Sequence, residues 1–114
     1  MVCGTSALVD GGDGVRFTVH RDGVTHSAFA IRYEGRVYAY LNRCAHVGVE
    51  LDWQLGRFFD STATVLICST HGALYDPATG HCLGGPCNGG RLAPVGVEEI
   101  NGVVVLKEKD ESHD

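Results

Sequence analysis

The sequence predicts an all-β protein, and three observations carry that prediction. Sixteen of the 114 residues are glycine, about twice the ordinary share, which favours a chain of many tight turns. Short runs alternate apolar with polar residues: Val15, Phe17 and Val19 fall on one face, and Arg16, Thr18 and His20 on the other. No apolar repeat of helical spacing occurs in the first forty residues. The length is that of one domain, spanning 1–114, and a hydrophobic share of 44% is enough for a real core.

Taken in order, residues 1 to 12 read as an irregular lead-in that runs into the turn-rich stretch Asp10-Gly11-Gly12-Asp13-Gly14. The first strand covers 15–20, and Arg21-Asp22-Gly23 is a hairpin turn leading to a second strand over 25–33. Glu34-Gly35 turns the chain again into a third strand, rich in Val and Tyr, over Arg36–Leu41. Asn42-Arg43 then leads straight into Cys44-Ala45-His46. The stretch 47–67 holds Leu51, Trp53, Leu55, Phe58 and Phe59, punctuated by Gly56 and Asp60-Ser61. Trp53, Phe58 and Phe59 read as core rather than as a docking patch. Residues 64–68 read as a strand that delivers Cys68, and 72–80 as a short strand followed by a turn. The segment 82–90 has no hydrophobic period and reads as a loop. A closing hairpin follows over 95–100 and 103–107, joined by Asn101-Gly102, the strongest short-range hairpin signal. Residues 42–93 thus form a glycine-rich excursion between two sets of plain strands, with short flexible ends to the chain.

Charge and cysteine usage narrow the function classes. The formal charge is −5, with acidic residues gathered in the tail 108–114, and no basic stripe exists for nucleic acid or an anionic membrane surface. No run approaches twenty apolar residues, so no membrane span is expected. The N-terminus lacks a basic start followed by an apolar stretch. Five cysteines is an odd number, and the reading is of a reduced, cytoplasmic chain rather than a disulfide-stapled one. Cys82 and Cys87 are near enough in sequence to bridge; the compartment argues for thiols, and spacing alone does not decide.

The chemistry concentrates in two stretches, Cys44-Ala45-His46 and Cys68-Ser69-Thr70-His71, with 21 residues between them. Each places one soft thiolate and one imidazole in a tight turn. Zinc accepts the same four donors, but zinc hairpins pair like with like at gaps of about two to four residues, and here each turn is mixed. Buried cysteines with unrelated histidines are the other bland reading. Two thiolates and two imidazoles are also the ligand set of a Rieske 2Fe–2S centre, in which the histidines replace two cysteines on one iron. His20, His26, His81 and His113 have no such pairing and read as surface histidines.

Cys-x-His, Cys-x-x-His-Gly, Tyr75-Asp76-Pro77-Ala78-Thr79-Gly80 and Gly85-Pro86 together resemble the Rieske proteins, over nearly the whole chain. The small soluble ferredoxins are the most similar form. The resemblance implies the Rieske fold: an antiparallel β-sandwich base with a small cluster-binding subdomain, here about 42–93. It implies one 2Fe–2S cluster held by Cys44, His46, Cys68 and His71, with both histidines bound through Nδ1 and their outer edges at the surface. Gly48 and Gly72 would let backbone N–H groups approach the sulfurs, Tyr75 would hydrogen-bond a cysteine sulfur, and Pro86 would stiffen a loop over the cluster. High-potential members carry a disulfide across the cluster and a serine after His-Gly; the matching positions here are Val49, Thr70 and Ala73. Fewer hydrogen bonds to sulfur disfavour the reduced state, so a potential low in the range of roughly −150 to +300 mV is expected.

The function implied is that of an electron carrier with no catalytic residues of its own. It would take electrons from an NAD(P)H-dependent flavoprotein reductase and pass them to a Rieske-type terminal oxygenase, docking near His46 and His71 as a monomer. The alternatives are a small subunit of another redox enzyme, as in nitrite reductases, a redox sensor, and a zinc-stabilised binding module. The gap between the two turns is longer than expected for these ferredoxins, and residues 53–59 are the candidate insertion and the place to look for partner specificity.

Overall fold

The computed structural model describes residues 2–21, 23–43, 51, 56–68, 72–85 and 90–107. Cys44, His46, Gly48, Val49, Trp53, Leu55, Thr70, His71, Pro86, Cys87, His113 and the acidic tail therefore lie outside the described residues. The described strands form three antiparallel sheets of three strands each, and the fold is all-β as the sequence predicts.

The middle sheet is the meander read from the sequence. Strands β2 (Val15–Arg21), β3 (Val24–Tyr33) and β4 (Arg36–Leu41) follow one another in space as in sequence. The Glu34-Gly35 turn between β3 and β4 has positive φ at both residues, +50° and +82°, and the side chain of Asp10 accepts both turn N–H groups at 2.8 and 2.9 Å. What alternation alone does not reveal is that β3 is covered on both sides: Ala28, Phe29, Ala30 and Ile31 are all fully buried. Because successive side chains point to opposite faces, Phe29, Ile31 and Tyr40 enter one core, while Ala28, Ala30, Ala39 and Leu41 enter another.

The second core is closed by the basal sheet, in which β9 (Val103–Leu106) lies between β1 (Cys3–Gly4) and β8 (Val97–Ile100). Its hairpin is the one anticipated, β8 (Val97–Ile100) and β9 (Val103–Leu106), joined by Asn101 and Gly102 at φ +51° and +81°. The lead-in differs from expectation. Cys3 and Gly4 form a short strand, β1 (Cys3–Gly4), against Val104 and Val103 of β9, and a single 3-10 turn, Thr5–Ala7, follows. Two residues cannot display an alternation, so that pairing is set by the open edge of β9. Arg32 of β3 ties the middle sheet to the basal one: its guanidinium donates to both carboxylate oxygens of Glu99 at 3.0 and 2.6 Å, and to the carbonyl of Leu8 at 2.8 Å.

The third sheet is ordered β5-β6-β7, from β5 (Leu66–Ile67), β6 (Leu74–Tyr75) and β7 (Cys82–Gly84). Here the sequence reading of 82–90 as loop is corrected. Cys82, Leu83 and Gly84 pair with the outer edge of β6, with Tyr75 opposite Cys82 and Leu74 opposite Gly84 across a register shift. A Cys-Leu-Gly triplet carries no period; its conformation comes from the neighbour it pairs with. Leu51, Phe58, Leu66, Cys68, Ala73, Tyr75 and Leu92 complete the core that Phe29, Ile31 and Tyr40 begin. Phe58 stacks on Phe29 with centroids 3.9 Å apart, and Phe59 lies 6.1 Å from Tyr33. Both phenylalanines are therefore packed as the core reading expected, and Phe58 is not available to a partner.

Candidate metal centre

Strands β5 and β6 pair as a hairpin, and Cys68 leads from it into the second cysteine-histidine stretch. Leu66 pairs with Tyr75 and Ile67 with Leu74, and the chain then leaves the ladder at Cys68. Cys68 N–H donates to the Ala73 carbonyl at 2.9 Å, and Gly72 N–H donates back to the Cys68 carbonyl at 2.7 Å. These two bonds close the neck of the turn around residues 69–71. Gly72 holds φ at +73°, a left-handed conformation that accounts for glycine after His71 independently of any role near sulfur.

The first stretch leaves from the end of β4, and its neck is held by a side chain. Asn42 N–H donates to the Ser27 carbonyl at 2.8 Å, and the Asn42 side-chain oxygen accepts the N–H of Leu51 at 2.9 Å. Asn42 is 3% exposed and is the buried polar residue of the described core. It closes the loop 42–51, which contains Cys44 and His46. From the sequence Asn42 reads only as part of the lead from the third strand into Cys44; a polar amide directly between an apolar strand and Cys44 is the available signal.

The two necks meet. Leu51, at the return of the first loop, and Cys68, Ala73 and Tyr75, at the second, are all fully buried and belong to the same core. A third segment abuts them. Gly85, which follows β7, has φ +84°, and a Cβ there would lie 3.0 Å from the Ala73 Cα and from the Gly72 carbonyl oxygen. Only glycine allows the chain leading to Pro86 to run this close to the second turn. The turn before β7 is pinned as well: Asp76 caps its own turn through Ala78 N–H at 2.8 Å, and the Tyr40 hydroxyl donates to the Pro77 carbonyl at 2.7 Å. Burial of that phenol raises its pKa well above the ordinary tyrosine value, so it remains a donor.

Of the eight residues singled out around the cluster, the structure places Cys68, Gly72 and Tyr75; Cys44, His46, His71, Gly48 and Pro86 lie outside the described residues. Among the described residues no three His, Cys, Asp or Glu side chains gather as a metal site. The donor chemistry at the described position fits a metal. Cys68 is fully buried among apolar side chains and is not disulfide-bonded. A thiol in such surroundings resists ionisation unless a cation compensates it, and a bound iron deprotonates a coordinating thiol outright. Ala73, fully buried behind the turn, has no hydroxyl to offer a cluster sulfur. Cys82, in contrast, is disulfide-bonded, against the thiol state that a reduced compartment implied. His20 and His81 are exposed and His26 half-buried, as surface histidines should be.

A three-layer β-fold with two loop necks converging at one end is the architecture of Rieske proteins, and comparison bears this out. The sequence matches the profile of the Rieske [2Fe-2S] domain over residues 1–109. The chain belongs to this family, whose members bind a 2Fe–2S cluster. Among solved structures it is similar to the ferredoxin of carbazole 1,9a-dioxygenase from Nocardioides aromaticivorans IC177, with 22% identity, 95% of each chain covered and a TM-score of 0.70. It is also similar to a Sphingomonas yanoikuyae B1 ferredoxin, with 24% identity, 95% of this chain and 96% of that one covered, and a TM-score of 0.68. A third similar structure comes from a complex of reduced oxygenase and oxidized ferredoxin in carbazole 1,9a-dioxygenase, with 24% identity, coverage of 96% and 93%, and a TM-score of 0.71. No curated protein matches the sequence. Among the described residues no helix is long and apolar enough to cross a membrane.

Proposed function

We propose that the protein is a one-electron carrier of an oxygenase system, built as a single Rieske domain over 1–114 with its cluster-binding part at about 42–93. Cys44 and Cys68 would hold one iron of a 2Fe–2S cluster, and His46 and His71 the other. When bound, that cluster accepts and releases single electrons, and its neutral imidazole ligands favour electron uptake relative to a four-thiolate set. The observation that carries the reading is the convergence of the two loop necks, Asn42–Leu51 and Cys68–Ala73, on one buried core.

The chain's own residues do three things in this reading. Cys44, His46, Cys68 and His71 would hold the cluster, Gly48 and Gly72 would let backbone N–H groups approach its sulfurs, and Tyr75 would hydrogen-bond a cysteine sulfur. Gly85 is seated against Ala73, and Pro86 after it would stiffen a loop over the cluster. The outer edges of His46 and His71 would be the point where an NAD(P)H-dependent flavoprotein reductase and then a terminal oxygenase dock. Ferredoxin–oxygenase complexes among the similar structures support a terminal oxygenase as the acceptor. A monomeric, cytoplasmic carrier completes the proposal.

The test is a visible absorption spectrum with low-temperature EPR of the dithionite-reduced protein. A coloured protein with a Rieske-type signal, and a potential in the lower part of the range of roughly −150 to +300 mV, is expected. His71→Cys should lower that potential and alter the signal. A colourless protein with stoichiometric zinc overturns the reading in favour of a binding module.

A further inference from the structure

Strand β4 is the last strand of the middle sheet, and part of its outer edge is open. Alternate residues of an antiparallel strand send their N–H and C=O groups to opposite edges. Leu41 N–H donates outward to the Ala93 carbonyl, and the Ala39 carbonyl accepts Val95 N–H, both at 2.9 Å. Val37 therefore aims its own N–H and C=O outward too, and among the described residues neither has a hydrogen-bond partner. The segment that covers the edge turns away after Val95: the Gly96 carbonyl accepts Lys107 N–H, and Val97 pairs with Leu106 in the basal sheet. A cleft of about 400 Å³ opens between β4 and this departing segment. We propose that the cleft is a docking site for an extended acidic segment of a partner protein. That segment adds to β4 as a further strand beside Val37 and places a carboxylate at Arg91 and His81.

The backbone selects an extended occupant. An open strand edge presents a donor and an acceptor together, and another strand answers both. A helix bonds its own backbone internally and has neither group to give. A simple carboxylate or sulfate brings acceptors but no donor for the Val37 carbonyl. The walls of the cleft suit the side chains of a strand as well. Val37 and Val97 are half-buried against the second core, and Tyr38 packs against the first. Side chains of an added strand alternate between its two faces, so they meet these apolar surfaces in turn.

Charge selects an acidic one. The chain carries a formal charge of −5, yet among the described residues Arg91 and His81 line the cleft and no Asp or Glu does. The two stand opposite each other in an antiparallel bridge. It is flanked by Leu92 N–H donating to the Gly80 carbonyl at 2.8 Å and Cys82 N–H donating to the Gly90 carbonyl at 3.0 Å. Directly opposite side chains of such a pair leave the same face of the ladder, close together. Both residues are exposed. Arg91 Nη2 donates to the Thr79 carbonyl at 3.1 Å, which steadies the guanidinium, and Arg91 makes no ion pair among the described residues. Asp76, in the same turn as Thr79, directs its carboxylate to Ala78 N–H at 2.8 Å. A partner's carboxylate reaching this end of the cleft thus meets a fixed guanidinium, and a charge-assisted hydrogen bond between them sets the register of the added strand.

The experiment selects a displayed library of random heptapeptides on the full chain, and the most enriched peptide is synthesised and titrated against it. Enriched peptides should carry Asp or Glu among alternating apolar residues. The bound peptide should slow hydrogen exchange of the Val37 amide about tenfold. Arg91→Gln should weaken binding about tenfold, and Arg91→Lys, which keeps the charge, should recover part of it. Arg57→Gln removes the same charge at an exposed position outside the cleft and should leave binding unchanged. Enriched peptides without acidic residues, binding that leaves Val37 exchange as it was, or equal weakening by the Arg91 and Arg57 variants overturns the proposal. A Val37 amide already protected in the dilute free chain shows that the chain covers its own edge. Protection that rises with protein concentration shows a second copy, and either result overturns the partner. None of the four proposed ligand residues lines the cleft, so these outcomes leave the electron-carrier reading to its own test.

Discussion

At the residue scale, Asn42 has the largest consequence for its size. Its side-chain oxygen is the acceptor for Leu51 N–H in a fully buried setting. Asn42→Ala therefore leaves that N–H without its acceptor, at a cost of about 1–3 kcal/mol. Thermal unfolding several degrees lower, together with faster exchange of the Leu51 amide, is the expected outcome; an unchanged melting temperature would show that the first loop is closed by something else. Gly85 offers a second test with an internal control. Gly85 and Gly102 both have positive φ, +84° and +81°, but a Cβ at Gly85 meets Ala73 and Gly72 at 3.0 Å, whereas one at Gly102 meets nothing within 4 Å among the described residues. Each Gly→Ala change carries the left-handed penalty of about 1–2 kcal/mol. The Gly85 variant alone should add a steric cost and disturb the spectrum of the metal centre; equal effects in the two would refute the close approach.

At the scale of elements, the middle sheet separates two kinds of packing. On one face the small side chains Ala28, Ala30 and Ala39 let the basal sheet approach; on the other, Phe29, Tyr40 and Phe58 fill the space beneath the loop necks. Phe58→Ala removes a ring stacked 3.9 Å from Phe29 and should cost about 3–5 kcal/mol. The loss should fall on cofactor retention as well as on global stability, since Leu51, Cys68 and Ala73 share that core. Denaturant unfolding and iron content measured on one preparation distinguish the two. A variant that loses stability but keeps all its iron would show that the core does not position the centre.

At the scale of the whole molecule, Arg32 and Glu99 form an ion pair between the middle and basal sheets. The guanidinium hydrogen bonds keep the Glu99 carboxyl below its usual pKa. A carboxylate with a depressed folded-state pKa adds stability above the ordinary glutamate range, and that stability is lost as pH falls through the lowered value. The pair is partly exposed, with side chains 13% and 31% accessible, so its contribution is small, within about 1 kcal/mol. Glu99→Gln should unfold slightly more easily than the parent at neutral pH and lose less on acidification to about pH 3. Parallel acid limbs in the two proteins would remove Glu99 from the account.

By itself the sequence determined the strands that alternate, the turns at Glu34-Gly35 and Asn101-Gly102, and the membership of a family whose donors are two cysteines and two histidines. These are local signals: a period of two, a backbone that needs positive φ, and a metal's preference for particular atoms. The short strands β1 and β7, the double burial of β3 and the role of Asn42 were decided only by tertiary structure. Two or three residues such as Cys82-Leu83-Gly84 carry no period, and they become a strand because β6 presents an open edge. Asn42 looks like any turn residue until the chain returns at Leu51 and supplies a buried N–H for its side-chain oxygen to accept. Cys82 belongs with these, because whether a thiol is bridged depends on which sulfur the fold brings within reach.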